Sequence, residues 1–191
     1  MPIENDQELE AAIERAGTEL QAIQDYVRRD FTRQCKIRFP RGYIRTAAHF
    51  RARFWFVADE TFQRNLGYAF ILNDVLHWLL VRTDLGGTAK EMLIKDGVVL
   101  IGNIAETLTK LPLTGVTARR LNYKQRTNRL ETMGVIDAGL RTELNWLWDT
   151  RCNCHYFLVT MREYGHYTVA DYNRAVLTIR AFRDALEVYF T

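Results

Sequence analysis

Apolar residues recur at helical spacing along most of the chain. Within residues 6–34, Leu9, Ile13, Ala16, Leu20, Ile23 and Val27 fall at alternating steps of four and three. Those steps hold all six on one stripe of a single long helix, with Glu8, Glu10, Glu14, Glu19 and Asp25 mostly outside it. So narrow a stripe suits one partner helix, in the same chain or in a second copy. The pattern fails at Pro40, Arg41 and Gly42. Residues 36–59 mix arginines with Phe39, Tyr43, Phe50, Phe54, Trp55 and Phe56. They read equally as a linker leading into a helix or as a short strand near 54–57.

From Glu60 onward the periodicity is clean. Residues 62–82 carry Leu66, Phe70, Ile71, Val75, Trp78, Leu79 and Val81, and Gly86 and Gly87 stop them. Thr88 with Glu91 reads as a capping box opening a helix to about 108. Residues 118–133 form a third helix, with Gly134 just past its end. Asp137 caps a fourth, over 138–162, and Thr168 with Asp171 opens a last, over 169–190. Short loops between long amphipathic helices imply antiparallel neighbours. The expected fold is therefore all-α: an up-and-down helical bundle over 60–191, preceded by a long amphipathic helix and a basic, aromatic connecting segment over 1–59.

Composition supports this. Three prolines in 191 residues leave helices uninterrupted, and nearly half the residues are apolar. No apolar run reaches the roughly 18 residues of a membrane span. The first residues are acidic and polar, unlike a secretory leader. Three cysteines, Cys35, Cys152 and Cys154, suggest no disulfide framework, and a cytoplasmic location is the simple expectation.

Charge is unevenly placed. Residues 28–53 hold nine basic side chains against Asp30 alone, a local +8 in a chain of net +3. Such an excess attracts phosphate. Arg33, Lys36, Arg38, Arg41 and Arg45 are the candidate nucleic-acid contacts, with Phe39, Tyr43 or Phe50 placed to stack on bases. The plainer reading is a solvated face answering the acidic first helix, and arginine with aromatics also suits a protein interface.

The densest polar stretch is 144–156, L-N-W-L-W-D-T-R-C-N-C-H-Y. Arg151 and His155 stand four apart and share a helix face, with Asp149 and Asn153 nearby. An imidazole moves protons near neutral pH, and a guanidinium grips phosphate through paired bonds. The plainer reading is a polar helix end, since Arg45 with His49 and Arg162 with His166 repeat the spacing. His166 is read as a loop residue that could enter the same cleft, His77 as a core or interface histidine, and Asn73 and Asp74 as polar residues that could face the motif. Cys152, Cys154 and His155 invite a metal reading, but alternate helix positions diverge and no second pair completes a site. No phosphate-binding glycine loop is present.

The order D-T-R-C-N-C-H-Y, a polar turn, T-V-A-D and a final amphipathic helix resembles the carboxy-terminal half of HEPN domains. The resemblance covers roughly 62–191. It departs from the family in two respects: three residues separate Arg151 from His155, where the motif places at least four, and Asn153 stands two places after the Arg instead of directly after it. The resemblance implies a metal-independent endoribonuclease without cofactor, working as a homodimer on RNA, of defence or toxin type, with an antitoxin as a protein partner. His155 would be the acid or base at a ribose 2′-hydroxyl, Arg151 would stabilise the phosphorane, and Asn153 would orient phosphate or imidazole. The rival readings are a non-catalytic dimerisation or adaptor module and a subunit of a nucleoprotein complex.

Overall fold

The computed structural model describes residues 2–30, 32, 36–113, 120–154 and 162–191. The chain divides into two compact units, Met1–Pro40 and Arg41–Thr191.

The first unit is built on α1 (Asp6–Val27). Asn5 caps it, its side chain accepting from the Glu8 N–H at 2.9 Å. The helix stops at Val27 rather than near 34 because Arg28 turns left-handed, at φ 48°, and returns its N–H to the Gln24 carbonyl. No side chain of α1 is buried, so the stripe read from the sequence exists and faces solvent.

The second unit begins earlier than the hydrophobic pattern suggested. Thr46 caps a short helix, α2 (Ala47–Arg53), which buries Phe50. Residues 54–57 are a turn, with the Val57 N–H bonded to the Phe54 carbonyl, so the strand alternative falls. Phe50 and Phe54 each stack on Phe70 with ring centroids 5.3 Å apart. Burying these rings binds residues 41–59 to the bundle; aromatics scattered among arginines hide that from periodicity.

The bundle proper comprises α3 (Glu60–Arg82), α4 (Gly87–Leu108), α5 (Tyr123–Thr132), α6 (Ala138–Arg151) and α7 (Val169–Phe190). Among the described residues there is no strand, and no helix is long and apolar enough to cross a membrane. The caps at Asp59, Asp137 and Thr168 are formed by the side chains the sequence supplies there. The box at Thr88 is not. Gly86 takes the cap position of α4 without a side-chain bond, and the Glu91 carboxylate accepts from the Gly165 N–H at 2.6 Å instead. The third helix of the bundle, expected from 118, is described from Tyr123, where Asn122 and Gln125 form a capping box. The fourth, expected to run to 162, ends at Arg151 and passes into a 3-10 turn, Cys152–Cys154.

Helix α4 is the axis of the unit, packed against α3, α6 and α7. Val98, Ile101, Ala105 and Leu108 are fully buried there against Leu144, Leu147 and Phe182. Each of these side chains except that of Ala105 contributes roughly 1.5–3 kcal/mol by leaving water. Two glycines set the spacing. A Cβ on Gly97 would lie 2.7 Å from the Tyr172 ring, and one on Gly102 would lie 2.7 Å from the Arg151 Cβ. Both α7 and the end of α6 therefore approach α4 more closely than any larger residue permits.

Candidate functional site

The motif end of α6 is built into the bundle. The Arg151 Nε donates to Asn103 Oδ1 at 2.7 Å and its Nη2 to Glu106 at 3.2 Å. The guanidinium also stacks on Trp148, 5.0 Å from the ring centroid. Its side chain is 21% exposed. Glu106 is shared with Arg126, 3.9 Å away, whose Nε donates to Thr109 Oγ1 at 2.9 Å. Asp149, the acid nearest in sequence, instead takes Lys124 at 2.7 Å. Arg151 thus belongs to a four-residue tie between α4, α5 and α6, and Gly102 is the vacancy that lets its stem in. Asn153 donates to the Tyr167 hydroxyl at 3.2 Å, which bonds Glu163, which pairs with the buried Lys95. The cleft beside it, about 190 Å³, also takes in His166, Trp146, Thr150 and Asp171. His155 and Arg33 lie outside the described residues, as does Cys35. Cys152 and Cys154 are half-buried free thiols, and burial pushes the Cys152 thiol up. Among the described residues no cluster could hold a metal ion.

A second polar cluster lies on α3. Asp74, its side chain 4% exposed, accepts from the Arg45 backbone N–H at 2.9 Å, from Nε at 3.0 Å and from Nη2 at 2.6 Å. Beside it Asn73 accepts from the buried Tyr172 hydroxyl at 2.9 Å. One turn along, His77 lies between the rings of Tyr43 and Tyr172, with the Tyr43 hydroxyl bonded to Nδ1. Burial lowers the His77 pKa below its usual 6.5, with Arg180, Arg45 and Arg82 adding to the effect against Asp74. Burial, then Asp74, raises the Tyr43 phenol. Both groups therefore stay neutral, the phenol donating and the imidazole accepting. Asn73 and Asp74 are thus committed to Tyr172 and Arg45.

Around this cluster four arginines converge. Arg45, Arg53, Arg180 and Arg183 rim one depression whose floor is Phe50, Phe54 and Phe70. Its volume is about 40 Å³, room for a few waters and too small for a base. What the rim offers is charge. Asp74 answers Arg45 and Asp184 answers Arg183, while neither Arg53 nor Arg180, both exposed, has an acid within ion-pair distance among the described residues. Four cations against two anions leave the rim at +2.

Of the basic residues singled out from sequence, Arg45 is on this rim, and Arg41 is an exposed residue of the same unit. Lys36 and Arg38 are exposed residues of the first unit. Arg180 and Arg183 were missed, although their i, i+3 spacing on the last helix puts them on one face. Arg53 lay inside the basic run without being singled out. No protein-family model, curated protein or solved structure matches the chain.

Proposed function

We propose that this chain is an RNA-directed binding protein of HEPN-like layout, gripping phosphates through Arg53 and Arg180, with Arg45 and Arg183 flanking them in the hold of Asp74 and Asp184, and not cleaving through Arg151. One observation carries the reading: four guanidinium groups from three parts of the chain meet on one rim, two of them without an acid partner. Such unanswered charge is what a phosphate backbone recognises, since each contact releases counterions. The shallow floor has no room to enclose a base, so contact would be with backbone and with little sequence preference. The RNA part of the proposal rests on the resemblance of residues 62–191 to HEPN domains. Catalysis is left out because Arg151 spends its bonds on Asn103 and Glu106. A transition-state group needs its donors aimed at the reacting phosphate, and these are aimed inward.

The test is a salt titration of binding to a labelled single-stranded RNA. Each phosphate contact contributes a log–log slope of roughly −0.7 on single strands. The double variant Arg53→Ala, Arg180→Ala is expected to flatten the slope by about 1.4 and weaken binding at low salt. Arg151→Ala is expected to leave affinity unchanged. A slope that survives the double variant sinks the proposal. Equal binding of single-stranded DNA would remove RNA from it and leave phosphate recognition alone. Chelator-resistant RNA cleavage abolished by His155→Ala would restore the ribonuclease reading.

A further inference from the structure

Helix α1 (Asp6–Val27) carries a seam that no described residue of its own unit buries. Leu9 is 43% exposed, Ile13 62%, Leu20 44% and Ile23 42%. The alternating steps of four and three define a heptad register. Ile13, Leu20 and Val27 occupy a positions, and Leu9, Ala16 and Ile23 occupy d. Ile13 and Val27 at a with Leu9 at d follow the two-strand preference, whereas Leu20 at a with Ile23 at d reverses it in the middle layer, so the number of strands rests on the flanking positions. The 22 residues span about 33 Å, close to three heptads.

The flanking positions say which partner fits. In a parallel, in-register pair each g residue faces the e residue five places on in the other strand. That sets Glu10 beside Asn5, Ala12 beside Gly17, and Glu19 beside Gln24, so no like charges meet at these flanking pairs and Glu19 can accept from the Gln24 amide; Asp6, at the first a position, faces its own copy in the first turn. In an antiparallel pair with the same layers, g faces g, and Glu19 of one copy opposes Glu19 of the other. Gly17, where an added Cβ would meet nothing, widens no gap at e. Acids dominate the helix: Asp6 in the seam and five outside it, against Arg15 alone, give α1 a charge of −5.

We propose that α1 joins two copies of this chain as a parallel, in-register two-stranded coiled coil. Past Asp6 the seam is apolar, and the acidic charge is repulsive, so association tightens as salt rises. RNA binding moves the opposite way, and the two properties are separable in one titration.

The experiment is sedimentation of the full chain at 0.05 and 0.5 M salt, a range of roughly threefold in screening length. The natural chain is expected as a dimer, tighter at high salt. The variant Leu20→Asp, Ile23→Asp should weaken association at least about 100-fold, because it buries unpaired charge at two seam layers. Thermal unfolding of the bundle over 41–191 should match the natural chain's, since neither side chain belongs to its core. Orientation is read by mild oxidation of Leu9→Cys against the natural chain, which carries Cys35, Cys152 and Cys154. A parallel pair brings the new thiols together at a d layer and crosslinks beyond the control. An antiparallel pair holds them about 27 Å apart, one end to the other, and does not. A monomer at both salts, a dimer indifferent to the seam variant, a dimer loosened by salt, or no added crosslink each overturns the proposal.

Discussion

His77 shows how a single side chain converts burial into chemistry. It sits between Tyr43 and Tyr172 with Nδ1 bonded to the Tyr43 hydroxyl, in a neighbourhood shared with Arg180, Arg45 and Arg82. A protonated ring would lose its acceptor at Nδ1 and add a cation to three others. The folded pKa is therefore below the unfolded value of 6.5. The unfolded chain then binds the extra proton first. Stability is complete above 6.5 and declines as pH falls through that value toward the folded pKa, where both states are charged. Glu143, held down chiefly by its bond to Arg174, acts in a different window, its contribution being lost only as pH falls below 4.5. A urea midpoint should therefore drop between pH 7.5 and 5.5, and His77→Gln should remove most of that drop. A flat natural profile, or a drop unchanged in the variant, would show that the ring is not held neutral. The sequence offers His77 only as a core or interface histidine, and the partners that set its chemistry are not legible there. His77 beside Trp78 reads as an apolar-face histidine, and the stack depends on Tyr172, 95 positions away.

The helices separate what local sequence can specify from what it cannot. A cap is decided within four residues, and where one stands alone its reading holds. Asp137 accepts from the Leu140 N–H at 2.7 Å, and Thr168 and Asp171 complete a reciprocal box. Thr88 with Glu91 has the same spelling and a different outcome, because Glu91 finds the Gly165 N–H, 74 positions on, and Gly86 already opens the helix. The competing partner is tertiary and leaves no local trace. Two matched substitutions expose the difference. Thr168→Ala should cost about 1 kcal/mol, the usual worth of a cap, while Thr88→Ala at an exposed position should cost a few tenths at most. Chemical denaturation of both variants decides it; equal losses would mean that Thr88 caps α4 after all. The same division runs through the candidate site. Arg151 and Asn153 could be placed on one helix end from spacing, but Asn103 and Glu106, 48 and 45 positions away, determine that Arg151 is a tie. Arg45 was marked by local charge density, whereas its convergence with Arg180 and Arg183 comes from packing α2 and α3 near α7.

Considered whole, the chain divides its apolar surface unequally. Every buried hydrophobic side chain among the described residues lies between Phe50 and Leu186, and α1 buries none. The stripe of α1 and the bundle core look alike as sequence periodicity, since both are helical repeats of Leu, Ile and Val. What separates them is width. A stripe of six residues at steps of four and three covers one seam, whereas α4 has apolar residues on several sides and is surrounded by three helices. Among the described residues, then, α1 supplies no buried side chain to the core. A chain beginning at Arg41 should unfold cooperatively at a midpoint within about 2 °C of the full chain's when both are compared as monomers, because no buried contact of the core is removed. A start at Glu60 should behave quite differently. It deletes Phe50, Phe54 and Val57, three side chains no more than 4% exposed, together with the Arg45 bonds to Asp74. Removing three such groups costs several kcal/mol, and Asp74 would be left buried without its guanidinium. Differential scanning calorimetry of the two shortened chains tests the division directly. A midpoint lowered by more than about 5 °C in the longer one would assign α1 to the core, and an unaltered midpoint in the shorter one would detach residues 41–59 from it.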